Sequence, residues 1–273
     1  MTDQDVLTPP PTISEHGMIG DLRTAALVAT DGSIDWFCAG RFDSPSVFAR
    51  ILDTDRGGSW DLAPTDSGVR THQTYLPDSN ILNTRFLADQ GMVEVHDFMP
   101  VVKGNDADHR QRIVRRVQSV RGELHVRMRL AARPDYGRER PTLREVDGGV
   151  LIESGSVRLG LSTTTAVRIE GDDVVVDLHL AGGDRALFVL EVLDADDEFV
   201  PCTTEDADGL FDATNAFWQS WIAQSIYRGR WRETVERSAL TLKMLCHEPS
   251  GGIVASVTTS LPEQIGGSRN WDY

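Results

Sequence analysis

The sequence predicts a mainly β protein: an antiparallel β-sandwich followed by two linker helices. Three observations carry that expectation. About a dozen short apolar or alternating runs follow one another between polar turns, with no convincing helix among them, as two stacked antiparallel sheets require. In residues 123–131, Leu124, Val126, Met128 and Leu130 alternate with His125, Arg127 and Arg129, the period-two pattern of a half-buried strand. Near residue 203 apolar residues begin to recur at three- and four-residue steps, which is helical spacing.

Taken in order, residues 1–12 are polar, contain Pro9-Pro10-Pro11 and read as a flexible arm. The sandwich is expected over 13–202. It opens with a hairpin, because Thr30-Asp31-Gly32 separates the apolar runs Ala25-Ala26-Leu27-Val28-Ala29 and Ser33-Ile34-Asp35-Trp36-Phe37, and Asp-Gly is a strong turn signal. Residues 46–52 read as one short helical turn, and 57–62 as a turn into a strand stopped by Pro64. Strands are expected at 69–76, 80–88 and 92–99, with Asp89-Gln90-Gly91 turning between the last two. Two more follow at 112–120 and 123–131, broken at Gly122. Residues 133–145 are Arg-rich, contain Pro134 and Pro141, and read as a long loop. Strands resume at 150–153, 157–161, 166–170, 174–180 and 186–193. The last is continuously apolar, which places it centrally with both faces covered.

The linker helices are expected over 203–249. Thr203-Thr204-Glu205-Asp206 supplies an acidic start, which suits the positive end of a helix dipole. Leu210, Phe211, Phe217, Trp218, Trp221 and Ile222 then form one apolar stripe. A second helix from about 231 to 247 uses Val235, Ala239, Leu242 and Cys246, and Pro249 ends it. Residues 250–273 begin a further unit.

Composition narrows the function. A formal net charge of −15 disfavours nucleic acid or an anionic membrane as the main partner. Cys38, Cys202 and Cys246 are odd in number and far apart, so they fit neither a disulfide framework nor a zinc site, and a reducing cytoplasm is expected. The first residues have neither a basic start nor an apolar core and do not read as a signal peptide, and no run approaches membrane-span length. His72, His96, His109 and His125 lack ligand spacing, and the acidic run from Asp194 to Glu198 lacks the glycine and terminal glutamate of a calcium loop. No metal site is expected in this chain.

Residues 19–48 hold the candidate site. Just past the hairpin, Trp36 and Phe37 lie near Arg41, Phe42 and Asp43. Flat rings beside a carboxylate and a guanidinium suit a polyhydroxylated ring, whose C–H faces stack and whose hydroxyls take paired hydrogen bonds. The same residues also read as core rings with Arg41–Asp43 a local ion pair. Asp35 alternates with Ile34 and Trp36 and is expected to face solvent. The Arg cluster from Arg110 to Arg144 reads as outward strand positions plus a loop.

IGDLRTAALVATDGSIDWFCAGRFDSPSVFARILD resembles the opening of bacterial trehalases and glucoamylase-like proteins of glycoside hydrolase family 15. GGSRNWDY at residues 266–273 resembles the entry to that family's catalytic domain. The two motifs sit at opposite ends, so the resemblance covers nearly the whole chain. It implies a supersandwich-like amino-terminal domain, a helical (α/α)6 catalytic domain in cis beginning within 250–273, and hydrolysis of an α-glucosidic bond with inversion. Trehalose is the expected substrate, with maltose or an α-glucan as the alternative. It also implies phosphate and magnesium for the full enzyme, with no cofactor held by this chain. Asn270, Trp271 and Asp272 join the candidate substrate-binding residues on this ground. The family's catalytic glutamates lie beyond residue 273, so no catalytic residue is assigned here. A free-standing carbohydrate-binding module remains a rival. Another is an interaction domain that forms a homo-oligomer through Phe211, Trp218 and Trp221.

Overall fold

The computed structural model describes residues 11–101, 110–258, 264 and 266–268. Two antiparallel sheets face each other. In the first, β1 (His16–Gly20) pairs with β2 (Ala25–Ala29), and β2 with β3 (Ile34–Cys38). Strand β3 also pairs with β4 (Ser46–Ala49) and β5 (Ser59–Pro64), and β5 with the end of the long β9 (Arg112–Ala131). Strands β14 (Asp173–Ala181) and β13 (Arg168–Glu170) complete this sheet on the other side of β9.

The second sheet runs through β6 (Arg70–Tyr75), β7 (Leu82–Leu87), β8 (Gly91–Phe98) and the beginning of β9. It continues through β15 (Arg185–Leu193), β12 (Arg158–Thr163), β11 (Gly149–Glu153) and β10 (Thr142–Val146). Strand β9 thus belongs to both sheets. The expected break at Gly122 is the bend where β9 passes from one to the other. Gly122 has φ +68°, and a Cβ there would lie 1.8 Å from the Gln90 carbonyl oxygen, so the corner requires glycine.

Between the sheets, Trp60, Leu62, Val126 and Val174 of the first pack with Val93, Val117, Leu161 and Phe188 of the second. The predicted sandwich is therefore present. The opening hairpin forms as expected, with Asp31 Oδ1 accepting from the Ser33 amide at 2.9 Å and Gly32 at φ +90°. Strand β15 is covered on both faces: Phe188 and Leu190 enter the sandwich, while Leu187 and Val189 pack under a helix.

That helix is α2 (Thr204–Ile222). Thr203 caps it, its hydroxyl taking the Asp206 amide at 3.1 Å while Asp206 Oδ2 takes the Thr203 amide at 3.0 Å. Ala207 and Phe211 lie on the second sheet, and Trp218 and Ile222 pack with Leu22 and with Leu240 and Met244 of α3 (Arg232–Met244).

Four local expectations are corrected. Residues 46–49 form β4 rather than a helical turn; all four are buried, and a short buried run has no period to choose between the two. The expected loop at 133–145 holds a single turn, α1 (Pro134–Gly137), and then edge strand β10, whose exposed residues hide the strand pattern. Among the Arg cluster, Arg115 points into the sandwich with no exposure. In α3 the buried residues are Glu236, Leu240 and Met244, with Ala239 of the expected set packed beside them, while Val235 and Leu242 face outward.

Candidate functional site

A β-bulge sets the geometry around Trp36. Leu27 opposes Trp36 while Val28 opposes Ile34, which leaves Asp35 as the extra residue. An extra residue reverses the facing of the residues after it. Ile34 and Phe37 therefore enter the sandwich core, where Phe37 tilts against Phe48 at 6.3 Å, and Trp36 turns to the outer face of the first sheet.

Trp36 is fully buried there among Ala25, Leu27, Cys38, Phe42, Ala49 and Val257. Its indole N–H donates to the Val257 carbonyl at 3.0 Å, so the chain after α3 roofs this part of the sheet. Phe42 is also buried and meets the His247 ring edge-on at 6.4 Å. Burial, with the Asp43 charge nearby, pushes the Cys38 thiol up to about 12.

The loop after β3 is anchored rather than loose. The Gly40 amide donates to Gln111 Oε1 at 2.6 Å, and Gln111 Nε2 donates to the buried Asp21 Oδ2 at 3.2 Å. Arg41 Nε and Nη2 form a two-point fork on Asp43 at 2.8 and 3.0 Å. These two side chains are 65% and 59% exposed. The Arg41 hydrogen bond holds the Asp43 carboxyl below its usual range. Of the five candidates in this region, Arg41 and Asp43 present open polar surface, and Trp36, Phe37 and Phe42 are packed. Asn270, Trp271 and Asp272 lie outside the described residues.

Asp35, expected at the surface, is the extra residue of the bulge and is buried. It meets His16 Nε2 at 3.1 Å and Arg50 Nε at 2.8 Å. Arg50 also pairs with Asp31 at 3.1 Å and Asp61 at 3.0 Å, so one guanidinium serves three carboxylates. Burial works against charge on both Asp35 and His16. The His16 hydrogen bond and the Arg50 charge outweigh it on Asp35, whose pKa is lowered. Hydrogen bonds to Asp35 and to the Thr12 carbonyl outweigh it on His16, whose pKa is raised. Burial dominates on Asp61 and raises its pKa despite Arg50 and Arg129.

A second charged group that sequence reasoning missed sits between the sheets. Arg115 Nε donates to Asp97 Oδ1 at 2.8 Å, and neither side chain has any exposure. The remaining guanidinium donors reach the Trp60 and Gly32 carbonyls, each at 2.6 Å. The ion pair of the second sheet thereby ties down the first hairpin and β5. Glu191 is likewise held by Arg110 at 2.9 Å and Arg112 at 2.6 Å. These buried carboxylates are engaged in holding strands together, which is not the arrangement of an acid and a base flanking a substrate.

Residues 8–177 match the family model described as trehalase-like, N-terminal. The chain belongs to this trehalase-like amino-terminal family. It is 32% identical to a trehalase of Thermoplasma volcanium over 265 residues, covering 96% of this chain and 42% of that protein. It is 34% identical to a trehalase of Mycolicibacterium smegmatis over 290 residues, covering 97% and 42%. For trehalase 1 of Sulfolobus acidocaldarius the identity is 33% over 262 residues, covering 94% and 42%. The chain thus spans less than half the length of these relatives.

Two further features of this trehalase-like domain bear on ligands. A shallow cleft beside the start of α2 is lined by His96, Arg116, Arg185, Thr204 and Asp208. Arg116 there pairs with Asp208 at 2.5 Å and lies 4.3 Å over the Phe211 ring, contacts that seat the helix on the sheet. Among the described residues no three His, Cys, Asp or Glu side chains are grouped as a metal ion would need, and no helix is long and apolar enough to cross a membrane.

Proposed function

We propose that this chain is the amino-terminal support domain of an inverting α-glucosidase that hydrolyses trehalose, with the acid and base in a region beyond residue 273. The observation that carries the reading is the match to trehalases at 31–34% identity over 42% of their length, by a chain whose family model is an amino-terminal one. The engagement of Asp35, Asp97 and Glu191 in ion pairs supports it from the other side.

In such an enzyme one carboxylic acid protonates the oxygen bridging the two glucose units, and a carboxylate activates a water on the opposite face of the ring. The two carboxyl groups stand roughly 6.5–9.5 Å apart to admit that water. One glucose is released as the β anomer by inversion, and the other leaves as the α anomer.

The role of this domain is to position the start of the catalytic (α/α)6 region, within 250–273, and to lend Arg41 and Asp43 to the rim of the active site. Trp36 supports that entry by holding Val257. Phosphate and magnesium are assigned to the remainder of the enzyme, where the reaction itself takes place. A cytoplasmic location fits three free thiols, two of them buried.

The test is product analysis of the extended enzyme. Trehalose should give α- and β-glucose in equal initial amounts by NMR, faster than maltose or soluble starch is cleaved. Preferential release from maltose or starch would replace trehalose with the α-glucan alternative, and α-glucose alone would refute inversion.

A further inference from the structure

Helix α3 carries large apolar side chains on two opposite sides. One packs inward through Leu240 and Met244 and the buried Glu236, which Arg232 holds at 2.8 Å. On the opposite side Val235 and Leu242 lie two turns apart with Ser238 between them, and Trp231 stands at the N-cap just before the first turn. Trp231 is 59% and Leu242 58% exposed, and the connection into α3 adds the exposed Ile226 and Tyr227. Single exposed apolar residues are ordinary on a surface, whereas several large ones gathered on one side of a helix and its approach mark a face that another body covers.

We infer that this outer face of α3 is the docking surface for the catalytic region of the same polypeptide. The inference rests on the reading that such a region lies beyond residue 273. Relatives are more than twice as long as the matched part, since the chain covers 42% of their length. The chain leaves α3 through a small ladder of Cys246–His247 with Gly252–Ile253 and reaches Val257 on the first sheet, so the polypeptide after Val257 is joined to α3 by a short, anchored segment. A short tether gives an effective concentration on the order of millimolar, which favours a covalently linked occupant over a second copy. Val235 and Leu242 are thus interface residues, and the apolar periodicity of α3 is that of a helix held between two units.

The experiment compares this chain with the protein extended to the length of its relatives. A Leu242→Cys variant in a Cys246→Ser background reports access to the face by the rate of thiol labelling; Cys38 and Cys202 are buried. Labelling at least tenfold slower in the extended protein is expected, with the short chain labelled fast at every concentration. Leu242→Asp should leave the melting temperature of the short chain unchanged and lower that of the extended protein. Equal labelling in both proteins would overturn the inference. So would protection in the short chain that grows with concentration, which would make a second copy the occupant. Labelling is read without substrate: an extended protein that shows protection but cleaves no trehalose would refute the enzymatic reading and leave the docking face standing. One that cleaves trehalose without protection would do the reverse.

Discussion

Trp36 on β3 donates its indole N–H to the carbonyl oxygen of Val257 at 3.0 Å, which joins the first hairpin to the segment leaving the last helix. The bond is buried, so breaking it strands the Val257 acceptor or the indole donor away from water. A buried polar group left without a partner costs about 1–3 kcal/mol.

Trp36→Phe keeps most of the ring and loses the donor, so a destabilisation of about 1–3 kcal/mol is expected in urea unfolding. Trp36→Ala also opens a cavity and should cost about 3–5 kcal/mol. In the extended enzyme Trp36→Phe should lower kcat/KM for trehalose as well, because Val257 precedes the proposed catalytic entry. A change in stability with kcat/KM untouched would reduce Trp36 to a packing residue.

Arg115 and Asp97 form an ion pair without exposure that also binds the Trp60 and Gly32 carbonyls. Removing one partner leaves an uncompensated buried charge, so Asp97→Asn and Arg115→Met should each cost about 3–5 kcal/mol. The double substitution should cost less than the sum of the two. A double-mutant cycle in urea measures the difference, and additive losses would show that the two residues act apart.

His16 and Asp35 give stability a pH dependence on two limbs. The folded His16 pKa is raised above the ordinary 6.5, so its contribution is complete below that value and is lost as pH rises through the folded pKa. The Asp35 pKa is lowered from the ordinary 3.8, so its contribution is complete above that value and is lost as pH falls through the folded pKa. The pair stabilises most between about pH 4 and 6.5. Melting temperatures from pH 5.5 to 8.5 should fall more steeply for the native chain than for His16→Gln, and parallel curves would contradict the coupling.

Arg41 and Asp43 are exposed, and a surface pair is worth about 0–1 kcal/mol. Asp43→Ala should therefore barely move the unfolding midpoint. In the extended enzyme it should raise KM for trehalose severalfold if the loop reaches the active-site rim. Unchanged KM and kcat would confine the fork to bracing its own loop.

Much of the fold was legible because its signals are local. The Asp31-Gly32 turn, the alternation from Leu124 to Leu130, the continuous apolar run of β15 and the Thr203 cap each follow from neighbouring residues. The features that could not be read depend on partners distant in sequence. The bulge at Asp35 is a property of pairing with β2, and it turns an expected surface residue into a buried one. Arg115 looks like any other arginine of an alternating strand until Asp97 and the Trp60 and Gly32 carbonyls surround it. In α3 the sequence displays its apolar periodicity clearly, but the stripe through Val235 and Leu242 is not the one that meets the sheets. The candidate site is mixed for the same reason: adjacent rings such as Trp36 and Phe37 part to opposite faces, and among the described candidates only the Arg41–Asp43 fork remains open.

The most direct measurement is glucose release from trehalose by this chain and by the protein extended to the length of its relatives. Glucose is expected from the extended protein alone. Release by these 273 residues would place the acid and base among them and contradict the assignment of this chain as a support domain.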